Sequence, residues 1–288
     1  MPNFINIFEM SPRDGLQNET KFIETSDKIR FIDQLSLCGF TKIEISSFVS
    51  SKWVPQLADA SEVFKKIKRD IKIKYTALTP NEVGIDNALK ANVDEIAIFA
   101  AASETFSKKN INCDIETSLL RFQPVLAKAL KNKIPVRGYI SCVAHCPYEG
   151  VIDPENVSKI AKKLLEMGCY EISLGDTTGK GSAYQTKKIL DECLKVISPD
   201  KLAGHFHDTY QLAIDNIKIC LDYGIKTFDS SVGGLGGCPY SPGSEGNVAT
   251  EKVYKLLLSK GYNTGLNMAK INECSKIALK LKTDGTYD

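Results

Sequence analysis

The sequence lacks the features that mark several large classes of protein. Its 288 residues carry 37 basic and 35 acidic side chains and only three histidines, with a formal net charge of +2. No run of about 18 apolar residues occurs, so no transmembrane helix is predicted. So small a net charge, with both signs interspersed, favours neither nucleic acid nor a membrane as a partner. The composition, 43% hydrophobic and 25% charged, is that of an ordinary globular protein.

A targeting segment and a disulfide framework are also missing. A strand-like pattern begins at Ile5, which leaves no room for a signal or transit peptide, and the last four residues match no peroxisomal address. The nine cysteines show no framework spacing, and Cys142 and Cys146 are too far apart for a Cys-x-x-Cys pair. We therefore expect free thiols, mostly in the core, and a cytoplasmic location.

Eight apolar, β-rich segments recur along the chain, with helical patterns between most of them. The segments cover residues 5–10, 42–48, 73–79, 95–101, 136–143, 171–177, 202–208 and 227–232. The amphipathic stretches include residues 26–38, 81–91, 116–132, 154–167, 184–196 and 211–223. Glycines stand where helices are expected to end, at Gly39, Gly168 and Gly224.

Eight alternations of strand and helix predict a (β/α)8 TIM barrel of the α/β class. A doubly wound open sheet is the alternative, but the count of eight and the chain length favour the barrel. We expect a single catalytic domain over residues 1–288, with the barrel at about 4–260. A helical pattern at residues 267–280 predicts an additional C-terminal helical segment at about 261–288.

The seventh segment ends in His205-Phe206-His207-Asp208 and so holds two of the three histidines. Side chains alternate along a strand, so His205 and His207 point to the same face. Two imidazoles there can bind one metal ion, and the alternative is a structural pair joined by hydrogen bonds. Asp208 is either a turn residue or a partner that holds a metal-ligating histidine.

Polar residues cluster at the ends of the predicted strands, where barrel enzymes place their active sites. They are Arg13, Asp14, Glu44, Ser46, Ser47, Ser141, Cys142, Asp176, Thr177, His205, His207 and Asp208. Glu44 lies inside a strand, and a carboxylate in a barrel needs a partner such as Arg13. Asp14 and Asp176 also fit ordinary roles, as a turn residue and a helix N-cap. For His145 a surface or hydrogen-bonding role is favoured over ligation.

A glycine-rich stretch, residues 233–247, follows the eighth segment. It is a flexible connector, a phosphate cradle or an active-site lid that carries Cys238. The phosphate cradle is disfavoured because no Gly-Lys-Ser/Thr occurs and the glycine spacing does not match a dinucleotide fingerprint. Two prolines favour a defined shape over a random linker.

Several long strings together resemble the 3-hydroxy-3-methylglutaryl-CoA lyase family over nearly the whole chain. They cover residues 11–19, 43–44, 47–50, 52–56, 108–113, 137–139, 146–150, 168–177 and 234–240. The last string contains Gly-Gly-Cys-Pro-Tyr at 236–240, which separates this family from its aldolase and synthase relatives. The sequence departs from the family's usual glycines at His145 and Gln211 and from its usual alanine at Gly233.

The resemblance implies a divalent cation, Mg²⁺ or Mn²⁺, with ligands Asp14, His205, His207 and Asn247. It implies that Arg13 stabilises a developing enolate and that Glu44 holds Arg13 in place. Asp176 is expected near the substrate hydroxyl, and Cys238 is the loop thiol needed for turnover. Either His205 or Asp176 is the general base. The implied substrate contacts are Arg13, Gln17, Ser141 and Cys142.

The implied reaction is cleavage of 3-hydroxy-3-methylglutaryl-CoA to acetyl-CoA and acetoacetate, in leucine degradation and ketone-body metabolism, by a homodimer or higher homo-oligomer. The alternatives are a lyase for another 3-hydroxy-3-alkylglutaryl-CoA and, less favoured, a related aldolase or acyl-CoA synthase. A zinc hydrolase is disfavoured because its His-x-His usually lies near the first strand. A non-catalytic barrel is disfavoured because the proposed ligands are retained together with Arg13 and Cys238.

Overall fold

A closed barrel of eight parallel strands forms the centre of the computed structural model, which describes residues 3–237 and 246–288. The barrel strands are β1 (Asn6–Glu9), β2 (Lys42–Ser47), β3 (Lys74–Leu78), β4 (Glu95–Ala101), β5 (Val136–Ser141), β8 (Glu171–Asp176), β9 (Leu202–Phe206) and β10 (Thr227–Ser230). Their order around the barrel is β1-β10-β9-β8-β5-β4-β3-β2. Strands β6 (His145–Cys146) and β7 (Gly150–Val151) form a separate antiparallel hairpin after β5. The predicted TIM barrel is confirmed.

Helices surround the barrel, and several begin at residues whose side chains accept a hydrogen bond from the first turn, as at Ser182 and Asp114. The helices are α1 (Thr25–Leu35), α2 (Ala60–Lys66), α3 (Glu82–Lys90), α4 (Glu104–Ile111), α5 (Ile115–Lys131), α6 (Pro154–Glu166), α7 (Ala183–Cys193), α8 (Ala213–Asp222), α9 (Thr250–Ser259) and α10 (Met268–Asp284). Among the residues described, no helix has the length and apolar character needed to cross a membrane.

The expected C-terminal helical segment is α10, which packs against α1 through a buried face that includes Cys274 and Leu281. The sulfur of Cys274 lies 3.5 Å from that of Cys38, just after α1. The glycine at 39 has a φ of +90°, and an added Cβ would lie 2.4 Å from the Gly265 carbonyl oxygen. Glycine is therefore required where the chain leaves α1 and meets the segment that leads into α10.

Strand alternation divides the buried residues into two sets. One face of each strand packs on the helices in a large apolar core, while a small cluster fills the barrel with Phe8, Met10, Leu78, Ala97 and Tyr139. Charged residues share the barrel interior, because Arg137 and Tyr139 lie two residues apart on β5 and Arg137 is 0% exposed. Buried charged side chains therefore lie inside the barrel, beneath the polar side chains at its mouth.

Candidate metal centre and active site

Three potential metal ligands meet at the carboxyl end of the barrel. Ligand atoms of Asp14, His205 and His207 all lie within 4.8 Å of one another. Oδ2 of Asp14 is 3.8 Å from the Nε2 atom of each histidine, and the two imidazole centroids are 5.5 Å apart. One carboxylate and two imidazoles form a donor set that suits a divalent cation.

The backbone brings these ligands together from three segments. Asp14 lies in a π-helical turn, Ser11–Gly15, directly after β1. His205 is the penultimate residue of β9. His207 directly follows the strand and donates its backbone N–H to the Asp176 carbonyl at 3.2 Å. Because β1 and β9 both pair with β10, residues far apart in the sequence become neighbours at the barrel mouth.

Asn247, the fourth predicted ligand, lies beside the same cluster. Its Nδ2 donates to Asp14 Oδ2 at 2.8 Å and to the Leu235 carbonyl at 3.2 Å, and its backbone forms a bridge with His207. Gly236 has a φ of +101°, and an added Cβ would lie 2.6 Å from Asn247 Nδ2. Only glycine leaves room there for the Asn247 amide to approach Asp14.

Arg13 lies between two carboxylates. Its Nη1 is 2.6 Å from Asp14 Oδ1, and its Nε donates to Glu44 in a very short contact. Burial alone would lower the pKa of Arg13, but Glu44 and Asp14 outweigh it and raise that pKa. Burial likewise opposes ionisation of Asp14, yet Arg13 and the two histidines hold the pKa of Asp14 well below its usual value. The site therefore contains the positively charged Arg13 guanidinium, held in place beside the ionised Asp14 carboxylate.

The remaining predicted site residues lie at different distances from this cluster. Gln17 touches it, because its Nε2 donates to Asp14 Oδ1 at 2.8 Å. Asp176 is 1% exposed at the end of β8, and its oxygens accept hydrogen bonds from the Gly181 N–H at 2.8 Å and the Thr178 hydroxyl at 3.2 Å. Burial is the main cause of the raised pKa of Asp176.

Ser141 is the last residue of β5 and Cys142 follows it, next to the strand β8 that carries Asp176. Ser141 is partly exposed, whereas the Cys142 thiol is buried 3.5 Å from the Thr177 hydroxyl. Burial raises the pKa of Cys142 to about 12, so that thiol is neutral at physiological pH. Cys142 also has a φ of +60°, which is unusual for a residue with a side chain. Cys238 lies outside the described residues.

A buried network behind the cluster was missed in the sequence. Arg137 Nη1 donates to the Tyr139 hydroxyl oxygen at 3.1 Å and to Asp229 Oδ2 at 3.0 Å. The Tyr139 hydroxyl then donates to Glu44 Oε1 at 3.2 Å. Burial opposes ionisation of Asp229, but Arg137 and His205 lower its pKa to about 2. The same signal that marked Glu44, a charged residue within a predicted strand, marks Arg137 and Asp229.

Glu9 is a second buried carboxylate that was missed. Its Oε1 accepts hydrogen bonds from the N–H groups of Ser11 and Val232, both at 2.9 Å, and its Oε2 accepts from the Thr250 hydroxyl at 2.9 Å. These contacts join the turn that carries Asp14 to the chain after β10. Burial raises the pKa of Glu9 to about 7 despite those donors.

The fold and this cluster define the class: a (β/α)8 barrel with a candidate metal centre at its catalytic end. The HMGL-like family model matches residues 4–277. The chain belongs to the HMGL-like family.

Relatives of high identity carry lyase names. The chain is 52% identical over 268 residues to the 3-hydroxy-3-isohexenylglutaryl-CoA/hydroxy-methylglutaryl-CoA lyase of Pseudomonas aeruginosa, covering 93% of this chain and 89% of the relative. It is 50% identical over 280 residues to the cytoplasmic 3-hydroxy-3-methylglutaryl-CoA lyase of Mus musculus, covering 97% and 82%. The crystal structure of the HMG-CoA lyase from Brucella melitensis superposes with a TM-score of 0.97 at 46% identity, covering 98% and 99%.

The three histidines of the chain allow a direct test of the metal site. Asp14→Ala and His207→Ala each remove one donor from the cluster, so we expect Mn²⁺ affinity to fall by more than about 100-fold, beyond the effect of losing an outer partner. His145→Ala is the matched control, because His145 lies outside the cluster. Electron paramagnetic resonance of free Mn²⁺ measures the affinity. Equal binding by His145→Ala and His207→Ala would refute the ligand set.

The raised pKa of Glu9 predicts that the free energy of unfolding falls as the pH rises. Its folded pKa of about 7 exceeds the ordinary glutamate value of 4.5, so its contribution is fully present below pH 4.5 and is lost as pH rises through about 7. Relative to Glu9→Gln, the wild-type free energy of unfolding should fall by about 2 to 3 kcal/mol between pH 5 and pH 8. Denaturant titrations at each pH measure it, with the exposed Glu62→Gln as control. A wild-type minus Glu9→Gln difference that is flat across this range would exclude the assignment.

Proposed function

We propose that the protein cleaves 3-hydroxy-3-methylglutaryl-CoA to acetyl-CoA and acetoacetate with the help of one divalent cation. The observation that carries the proposal is the meeting of Asp14, His205 and His207 beside Arg13, in a chain about half identical to named lyases. The reaction needs a site that binds two oxygen atoms of the substrate and stabilises a negative charge.

Asp14, His205, His207 and Asn247 would hold the cation, Mg²⁺ or Mn²⁺. The ionised Asp14 and the two imidazoles fit such an ion, and Asn247 offers an amide at hydrogen-bond distance from Asp14. When bound, the cation supplies a Lewis acid that lowers the pKa of the substrate's C3 hydroxyl and orients it.

Arg13 is proposed to stabilise the enolate of acetyl-CoA. Its guanidinium is held from two sides by Glu44 and Asp14, so it does not need to reorganise as negative charge develops on the thioester oxygen. The Tyr139 hydroxyl donates a hydrogen bond to Glu44 and helps to hold that carboxylate in place. A fixed, buried guanidinium stabilises the negative charge of a transition state more strongly than a mobile surface arginine does.

Proton transfers complete the reaction. Of the two candidate bases, we favour Asp176, because both ring nitrogens of His205 already face carboxylates, Asp229 at 3.3 Å and Asp14 at 3.8 Å. Asp176 takes the C3 hydroxyl proton, the C2–C3 bond breaks, and its electron pair forms the enolate while C3 becomes the ketone of acetoacetate. Protonation of the enolate at C2, with Cys238 as the proposed donor, gives acetyl-CoA.

Further substrate contacts, the assembly and the location can also be proposed. Gln17, Ser141 and Cys142 are proposed substrate contacts, and Gln17 is supported by its hydrogen bond to Asp14. Residues 1–288 are proposed to form one catalytic domain and to assemble as a homodimer or a higher homo-oligomer. A cytoplasmic location is supported by the name of the mouse relative. We propose leucine degradation and ketone-body metabolism as the pathways that the reaction serves, as the family resemblance implies.

A second candidate substrate is 3-hydroxy-3-isohexenylglutaryl-CoA, because the relative from Pseudomonas aeruginosa is named for both thioesters. Purified protein with Mg²⁺ should therefore be given each thioester separately, with product identification by mass spectrometry. We expect acetoacetate and acetyl-CoA from the methyl substrate, and none after treatment with EDTA. Cleavage of the isohexenyl substrate alone would reassign the substrate, and cleavage of neither by metal-loaded protein would refute the function.

Arg13→Gln should slow turnover while the protein still folds. Loss of the fixed charge beside the enolate is expected to lower kcat by about 100- to 1,000-fold, on the scale of one lost oxyanion contact. The exposed Arg30→Gln on α1 is the matched control and should keep wild-type kcat. Steady-state release of acetoacetate measures both variants. A kcat for Arg13→Gln within threefold of wild type would overturn the assigned role.

A further inference from the structure

His205 has a carboxylate on each side of its ring. Its Nε2 faces Asp14 Oδ2 at 3.8 Å, within the proposed metal cluster, and its Nδ1 lies 3.3 Å from Asp229 Oδ2. Asp229 is its direct partner in the register between β10 and β9, so both side chains project into the barrel. The position of Asp229 is therefore fixed by the sheet and not by a loop.

The other neighbours of the Asp229 carboxylate are hydrogen-bond donors. Oδ2 accepts from the Ser173 hydroxyl at 2.7 Å and from Arg137 Nη1 at 3.0 Å, while Oδ1 lies 2.9 Å from Arg137 Nη2. Arg137 is completely buried and is held on its other side by Glu171, with Nε 2.7 Å from Oε1. A carboxylate paired with a buried guanidinium is ionised and can only accept hydrogen bonds.

An acceptor at Nδ1 decides where the proton of a neutral imidazole lies. Neutral histidine donates from one ring nitrogen and accepts at the other. With Asp229 as acceptor, His205 carries its proton on Nδ1, and the lone pair on Nε2 points toward Asp14 and His207. We infer that Asp229, held by Arg137, is a positioning residue that fixes His205 in the tautomer able to bind the cation. The cation in this inference rests on the proposed function.

A purely structural role is the competing explanation. Asp229 also neutralises Arg137, and a buried arginine without its partner destabilises a fold. The two roles differ in what they change, because only the positioning role moves the proton on His205. A readout of the tautomer therefore separates them, and it needs neither turnover nor a metal.

The chain is well suited to such a readout, because its three histidines give a simple spectrum. Protein labelled with ¹⁵N-histidine, free of metal and at about pH 9, well above the ordinary histidine pKa of about 6.5, reports the tautomer through long-range proton–nitrogen couplings. His145→Gln and His207→Gln assign the His205 signals by elimination. We expect wild-type His205 to be protonated on Nδ1 only. A proton on Nε2, alone or together with Nδ1, would overturn the inference without the use of any variant at Asp229.

Asp229→Asn tests whether Asp229 is what places the proton of His205 on Nδ1. The same exchange beside a catalytic histidine in serine proteases keeps the geometry but gives the wrong tautomer. We expect His205 in Asp229→Asn to move its proton to Nε2 and Mn²⁺ to bind about 10- to 100-fold more weakly. Ser173→Ala is the matched control, since it removes another donor to the same oxygen and leaves the contact between Asp229 and His205. It should keep the wild-type tautomer and bind Mn²⁺ within about threefold of wild type.

The outcomes separate this inference from the proposed function. An unchanged tautomer and unchanged Mn²⁺ affinity in folded Asp229→Asn would leave Asp229 a purely structural residue and refute the inference. A protein with the expected tautomer and metal affinities that cleaves neither thioester would support the inference and refute the lyase reaction. Thermal unfolding of each variant shows whether Asp229→Asn is folded, and the wild-type spectrum decides the matter if it is not.

Discussion

The ion pair between Arg137 and Asp229 is the contact on which the candidate site depends. Charges inside a barrel are costly unless they are paired and hydrogen-bonded, and this pair is completely removed from solvent. On one side of this pair, Asp229 contacts His205. On the other side, hydrogen bonds run from Arg137 to the Tyr139 hydroxyl and from there to Glu44, which contacts Arg13. The cation site and the proposed enolate site are thus oriented from the same buried guanidinium.

Closure of the barrel explains why so distant residues meet. Strand β10 pairs with β1 on one side and with β9 on the other, so the turn after β1 faces the end of β9 across a single strand. Glu9 fixes that turn to the chain after β10, the segment that leads to Asn247. An open sheet would leave Asp14 and His207 on separate edges, and no shared site would form.

Much of this arrangement is predictable from the sequence, because it depends on local patterns. The eight strand segments, the His-x-His pair and the need of Glu44 for a cation all follow from periodicity and the cost of burial. The partnership of Arg137 with Asp229 does not, since it requires the order of strands and their register. The hairpin of β6 and β7, too short to show a pattern, was missed for a different reason.

The central claim is that one cation at the barrel mouth is required for cleavage of the carbon–carbon bond. The most direct test is the rate of acetoacetate release from EDTA-stripped protein as Mn²⁺ is added back in measured equivalents, at a protein concentration well above the Kd. The account predicts a rate that rises linearly and becomes constant at one equivalent per chain. Full activity without added metal, or a rate that keeps rising to two equivalents, would contradict it.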